Sequence, residues 1–117
     1  MPFDHERLDV YQLALDFLAL ADDMIERLPR GRGYLADQFA RAATSIVLNT
    51  AEGAGKFSPG DKRRYYLIAA GSTTESAAIV DVCLRLKLTD KEVHQTAKGM
   101  LDRIMSMLVK LAKSLEQ

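Results

Sequence analysis

The chain has 117 residues, 48% of them hydrophobic, and its 16 basic side chains balance 16 acidic ones for a formal net charge of zero. That length and apolar content support a single domain, residues 1–117, whose core needs no disulfide or metal, and the neutral balance excludes a simple polycation that coats nucleic acid. The lone Cys83 cannot form an internal disulfide, and its setting, Ile79 to Leu84, reads as helix core rather than as a reactive thiol.

An unpaired thiol suits a reducing cytoplasm. No apolar run reads as long enough to cross a bilayer, and Met1 to Arg7 lacks a basic-then-apolar signal pattern, so a soluble cytoplasmic protein with no membrane contact is expected. Charge is unevenly placed: residues 1–26 hold seven acids and one base, and residues 27–64 hold eight bases and three acids.

The first helix is expected to begin near Arg7 to Asp9 and to end at Leu28, because Pro29 and the glycines at 31 and 33 cannot continue it. Tyr11, Ala14, Leu18, Ala21, Ile25 and Leu28 recur at helical spacing as one apolar seam. Val10, Leu13, Phe17, Leu20 and Met24 form a second, about 100° round the helix. One seam suffices to join a bundle, and a second is surplus apolar surface, so it reads as a subunit interface, with a wide core face as the alternative.

The second helix, about Tyr34 to Ala54, is closed by Gly53 and Gly55. One face, from Phe39 to Ala51, is apolar and rich in small residues. Along the other, Gln38, Arg41, Ser45, Asn49 and Glu52 make a continuous stripe of amide, guanidinium, hydroxyl and carboxylate. A solvated face normally carries freely moving Lys and Glu, so this mixture suits a hydrogen-bonded network against another helix.

Ser58-Pro59-Gly60-Asp61 reads as an N-cap with a first-turn proline, opening a third helix that runs to about Lys87. Its middle, Ala69 to Ala78, is rich in small residues. Gly71 there costs about 1 kcal/mol relative to Ala, which a close approach by the small face of helix two would offset. Thr89 to Glu92 reads as a capping box that opens helix four, which ends near Ser114. Four long helices with short connections predict an all-α, antiparallel up-down-up-down four-helix bundle.

Chemistry-bearing constellations are sparse. A di-metal bundle needs Glu-x-x-His pairs, and neither His5, read as a tail residue, nor His94, read as a surface residue of the first turn of helix four, has a Glu three positions before it. No serine or cysteine sits in a nucleophile motif, and Gly53-Ala54-Gly55 lacks the Lys-Ser/Thr of a phosphate loop. The reading is therefore no catalytic residue, no metal and no cofactor. Glu52 pairing with Arg64, and Glu75 near Arg41 or Ser45, are expected as mutually satisfied structural charges.

Two basic clusters carry the functional lead. Arg30 and Arg32, with Arg27, Arg85, Lys87 and Lys91, gather at one end of the bundle. Lys56, Lys62, Arg63 and Arg64 gather at the other, interleaved with Phe57, Tyr65 and Tyr66. Such clusters bind phosphates and the rings can stack on unpaired bases, while solvated helix ends are the plain alternative.

Asp37 to Gly53, followed by Ile68 to Glu75, resembles the signature of the four-helix-bundle proteins encoded within 23S rRNA intervening sequences, a family itself similar to the accessory variability determinant of diversity-generating retroelements. The opening Phe3 to Tyr11 is similar too. The resemblance implies an antiparallel bundle assembling as a homopentameric ring, without enzymatic activity, and with a proposed nucleic-acid-binding role. By position, Gln38, Arg41, Ser45, Asn49, Glu52, Ser72 and Glu75 would be the characteristic polar residues of that family. Retroelement accessory proteins are typically strongly basic, and this chain is neutral. The expectation is a non-enzymatic ring that binds RNA or single-stranded nucleic acid through its basic ends. A protein-protein assembly module without nucleic acid is the alternative.

Overall fold

A computed structural model describes residues 3–116. A short 3-10 turn, Asp4–Arg7, precedes four helices: α1 (Asp9–Glu26), α2 (Gly33–Gly55), α3 (Pro59–Arg85) and α4 (Lys91–Ser114). Each helix lies beside the next and α1 also lies beside α4, so the four close into a square bundle 45 × 25 × 21 Å across. Cross-helix contacts pair early residues of one helix with late residues of its neighbour, and middle with middle. Ser45 meets Ser72 and Gly53 meets Tyr66 between α2 and α3, while Asp81 meets His94 and Arg63 meets Glu116 between α3 and α4. The arrangement is the antiparallel up-down bundle that the helix lengths and short connections require.

The connections follow local chemistry, with three departures from expectation. Ser58 caps α3 by accepting the Asp61 amide at 3.1 Å, as its sequence pattern predicts. The cap of α4 is Asp90 rather than Thr89, because its carboxylate reaches the Val93 amide at 2.8 Å. Helix α1 stops at Glu26, two residues before Leu28, where the Leu28 amide turns back onto the Ile25 carbonyl. Helix α3 ends at Arg85 rather than Lys87, since Lys87 takes a left-handed φ of 61°. There the Leu88 amide bonds the Cys83 carbonyl at 2.7 Å and the Lys87 amide bonds that of Leu84, closing the helix by a Schellman motif with lysine in the usual glycine place.

The core draws on both seams of α1. Val10, Leu13, Phe17 and Met24 are buried within the chain, Phe17 completely, and Leu20 is half-buried against the same core. The seam read as a subunit interface is therefore core. Helix α1 faces α2 on one side and α4 on the other, and filling that corner takes an apolar arc wider than one seam. Phe17 packs on Phe39 of α2 with ring centroids 6.2 Å apart, near the centre of a cluster that includes Ile46, Val80, Leu101, Ile104 and Leu108. His5 is no free tail residue, because its ring stands edge-on to Tyr11 at 4.6 Å and folds the 3-10 turn against α1.

Helix α2 and α3 do approach closely, but at a different glycine. A Cβ built on Gly53 would lie 2.8 Å from the Tyr66 ring and 3.1 Å from the Lys62 carbonyl, so Gly53 is a close-packing residue inside α2 and not its stop. Gly71, expected to face α2, is exposed and would meet nothing within 4 Å. The buried polar residues of this region are Thr50 and Thr73, whose hydroxyls donate to carbonyls one turn back, and Ser76.

Candidate functional site

Three regions were candidates on sequence grounds: the polar stripe of α2 with its α3 counterpart, and the two basic ends. Of the seven stripe residues, the fold brings three together. The Ser45 and Ser72 hydroxyls share a hydrogen bond of 2.7 Å between α2 and α3, and the Asn49 amide donates to the Ser45 hydroxyl at 2.9 Å and to its carbonyl at 3.0 Å. The other four lie on the outside. Glu52 pairs with Lys56 at 3.5 Å, one turn along its own helix, and not with Arg64. Gln38, Arg41 and Glu75 are exposed and make no hydrogen bond or ion pair with the described residues. The expected interior network thus shrinks to a partly buried Ser-Ser-Asn cluster. The longer side chains stand clear because α2 and α3 meet through small and apolar residues set further round each helix.

Around Glu75 the surface of α3 is apolar. Leu67, Ile68, Val82 and Leu86 are each 41–43% exposed, and Gly71 and Ala78 are exposed between them. These positions recur every three or four residues, so they form one stripe along the outer side of the helix with a carboxylate at its middle. By length and composition α3 is also apolar enough to span a bilayer, contrary to the reading of the bare sequence, and only 33% of its most apolar stretch is buried. Glycine, alanine, serine and threonine conceal this in a scan for large apolar residues. Beside the stripe, α2 shows Tyr34, Gln38, Arg41, Leu48 and Glu52, with an open depression lined by Tyr34, Asp37, Gln38, Ala40 and Arg41.

At the bundle end formed by the α2–α3 connection, most of the predicted cations are already engaged. Lys62 donates to the Ala54 carbonyl at 2.8 Å and so closes the end of α2. Arg63 meets Glu116 at 3.5 Å, and Lys56 meets Glu52. Tyr65 holds two cations near its ring, with the Lys56 ammonium 5.2 Å and the Arg64 guanidinium 4.7 Å from its centroid. Tyr66 is buried against Gly53, and burial pushes its phenol pKa up. Phe57, by contrast, is completely exposed at the tip of the turn. At the opposite end Arg32 donates to the Tyr34 hydroxyl at 2.9 Å, and exposed Arg30, Arg85, Lys87 and Lys91 make no ion pair with described residues.

Sequence reasoning missed one polar cluster. Asp81 on α3 binds both His94 and Lys98 of α4, each at 2.8 Å, and these hydrogen bonds, that from Lys98 foremost, hold its carboxyl below the usual range. Its signal was the pairing of a helix-three acid with two α4 bases one turn apart, which is informative only once the register is known. Burial raises the Cys83 thiol pKa, away from nucleophile chemistry. Among the described residues no group of three His, Cys, Asp or Glu is gathered as for a metal ion.

The sequence profile of the 23S rRNA-intervening sequence proteins matches residues 6–110. The chain belongs to that family. A crystal structure of a protein of unknown function from the S23 ribosomal protein family, from Bacteroides thetaiotaomicron VPI-5482, superposes with a TM-score of 0.83 at 20% sequence identity, covering 89% of this chain and 98% of that one. At that identity the likeness establishes the shared fold. A comparison with curated proteins finds no match. Neither the family nor this neighbour is a known enzyme family, and the family match spans all four helices, including the polar stripe of α2 and the outer stripe of α3.

Proposed function

We propose that this member of the 23S rRNA-intervening sequence protein family is a non-enzymatic cytoplasmic building block of a homo-oligomeric ring, five-membered as the family resemblance implies, which holds RNA or single-stranded nucleic acid against its bundle ends. The observation that carries the assembly is the bare apolar side of α3, where four large side chains remain about two-fifths exposed in a row. An aligned stripe of that kind is costly to leave in water and marks an interaction surface. The subunit contact thus moves from Val10, Leu13, Phe17, Leu20 and Met24, which serve the core, to α3 with the neighbouring side of α2.

Support for nucleic acid comes from the ends. Arg30, Arg85, Lys87 and Lys91 have no acidic partner among the described residues at one end, and Phe57 projects fully exposed at the other, where Lys56 and Arg64 also lie. Repetition round a ring would add these weak clusters together. A second reading, assembly without nucleic acid, is favoured by the engagement of Lys56, Lys62 and Arg63 in contacts of their own.

Native mass measurement joined to a salt-titrated RNA-binding assay separates the two. Binding through the ends falls linearly on a log-log plot with salt, at a slope of about −0.7 per phosphate contacted on a single strand. The slope flattens in Arg30→Glu, Arg32→Glu and Arg64→Glu variants, which leave the α2-closing Lys62 intact. An oligomer that shows no salt-dependent binding leaves assembly alone as the function. A chain that stays monomeric at every concentration defeats both readings.

A further inference from the structure

Covering the α3 stripe would strand Glu75, a carboxylate with no partner among the described residues, in an apolar contact. A charge stripped of water needs an opposite charge in reach. The adjacent helix carries one in Arg41, equally exposed and equally without a partner. Their levels along the bundle coincide. The Ser45–Ser72 hydrogen bond sets the antiparallel register of α2 on α3, so four residues back along α2 and three or four forward along α3 reach Arg41 on one helix and Glu75 or Ser76 on the other.

That coincidence has a geometric meaning. In a closed ring whose axis runs along the bundle, every copy of a residue sits at one height, so a group on α3 of one subunit meets only groups of its own level on the next. From this we infer that the subunit contact is heterologous, with the α3 stripe of one copy against the α2 side of its neighbour, and that Glu75 of the first pairs with Arg41 of the second. The inference rests on the assembly reading above and names its contact. Gly71 and Ala78 flank Glu75 and leave room for the neighbouring helix, since a Cβ on Gly71 would meet nothing within 4 Å in a single subunit. By the same register the depression lined by Tyr34, Gln38 and Arg41 lies level with Ala78 and Val82, and exposed Leu48 lies level with Ile68. A single buried ion pair of this kind contributes to register and partner choice more than to raw affinity.

Charge exchange tests it in the full chain. Arg41→Glu and Glu75→Arg, each alone, are expected to raise the concentration at which the oligomer half-dissociates by at least about tenfold, measured by sedimentation and native mass. Helical content by circular dichroism stays unchanged, because both residues are exposed in the subunit. The double exchange restores assembly. So does mixing the two single variants, because a like pair within each variant becomes an opposite pair across the junction; an odd-membered ring keeps one mismatched junction and recovers only in part. Single variants that assemble like the parent overturn the inference. So does recovery in the double variant with none in the mixture, which would place the pair within one copy. A parent chain that never assembles overturns the assembly reading, and this inference with it.

Discussion

Two glycine-to-alanine replacements read out where α2 and α3 approach each other. Alanine in a helix interior is favoured over glycine by about 1 kcal/mol. At Gly71 nothing opposes that gain within a subunit, since the added methyl would meet no atom within 4 Å. At Gly53 the methyl would lie 2.8 and 2.9 Å from two carbons of the Tyr66 ring and 3.1 Å from the Lys62 carbonyl. Tyr66 is 4% exposed and cannot swing aside, and the carbonyl belongs to the first turn of α3. Forcing a methyl into such a site costs about 1–3 kcal/mol. Set against about 1 kcal/mol of helix preference, the net is a loss of about 1 kcal/mol at Gly53 and a gain of about 1 kcal/mol at Gly71. Urea unfolding followed by far-ultraviolet circular dichroism resolves a difference of about 2 kcal/mol easily. The measurement is made at dilutions where the midpoint no longer depends on concentration. Equal stabilisation by both replacements would refute the close approach at Gly53 and with it the packing of Tyr66.

Phe17→Ala should cost about 3–5 kcal/mol by opening a cavity at the centre of the core, a large part of the roughly 6–18 kcal/mol expected for a domain of this length. It should lower the urea midpoint of the isolated subunit; a variant that merely dissociates while keeping its subunit stability would return the α1 seam to the interface. Asp81 has its pKa depressed by Lys98 and His94, so its contribution to stability is present above the ordinary carboxylate value, about 4, and is lost as pH falls through the lowered one. Asp81→Asn should therefore flatten the acid limb of the stability-pH curve below about pH 4, and an unchanged limb would show that the α3–α4 clip is too solvated to matter.

Much of the architecture was legible in the residues themselves. Helix existence follows from apolar recurrence every three or four positions, and helix ends from groups that act locally. Ser58 with Pro59 is the clearest, because an N-cap involves only its own turn. The misplaced details were those that depend on competition between neighbours. Asp90 rather than Thr89 takes the N-cap and accepts the Val93 amide, and Lys87 takes a left-handed φ where Leu88 packs against the core.

What periodicity could not decide was which way each face turns. Two seams on α1 are equally apolar, and only the square arrangement, with α1 against both α2 and α4, makes both of them interior. The polar stripe of α2 is just as continuous whether it is buried or bare; the rotation of α2 about its axis draws Ser45 and Asn49 inward and leaves Arg41 and Glu52 outside. The family, the helix count and their order were written along the chain, because they arise from contacts a few residues apart. The bare side of α3, and the equal height of Arg41 and Glu75, exist only once α2 and α3 lock in register, because they join residues more than thirty positions apart in the chain.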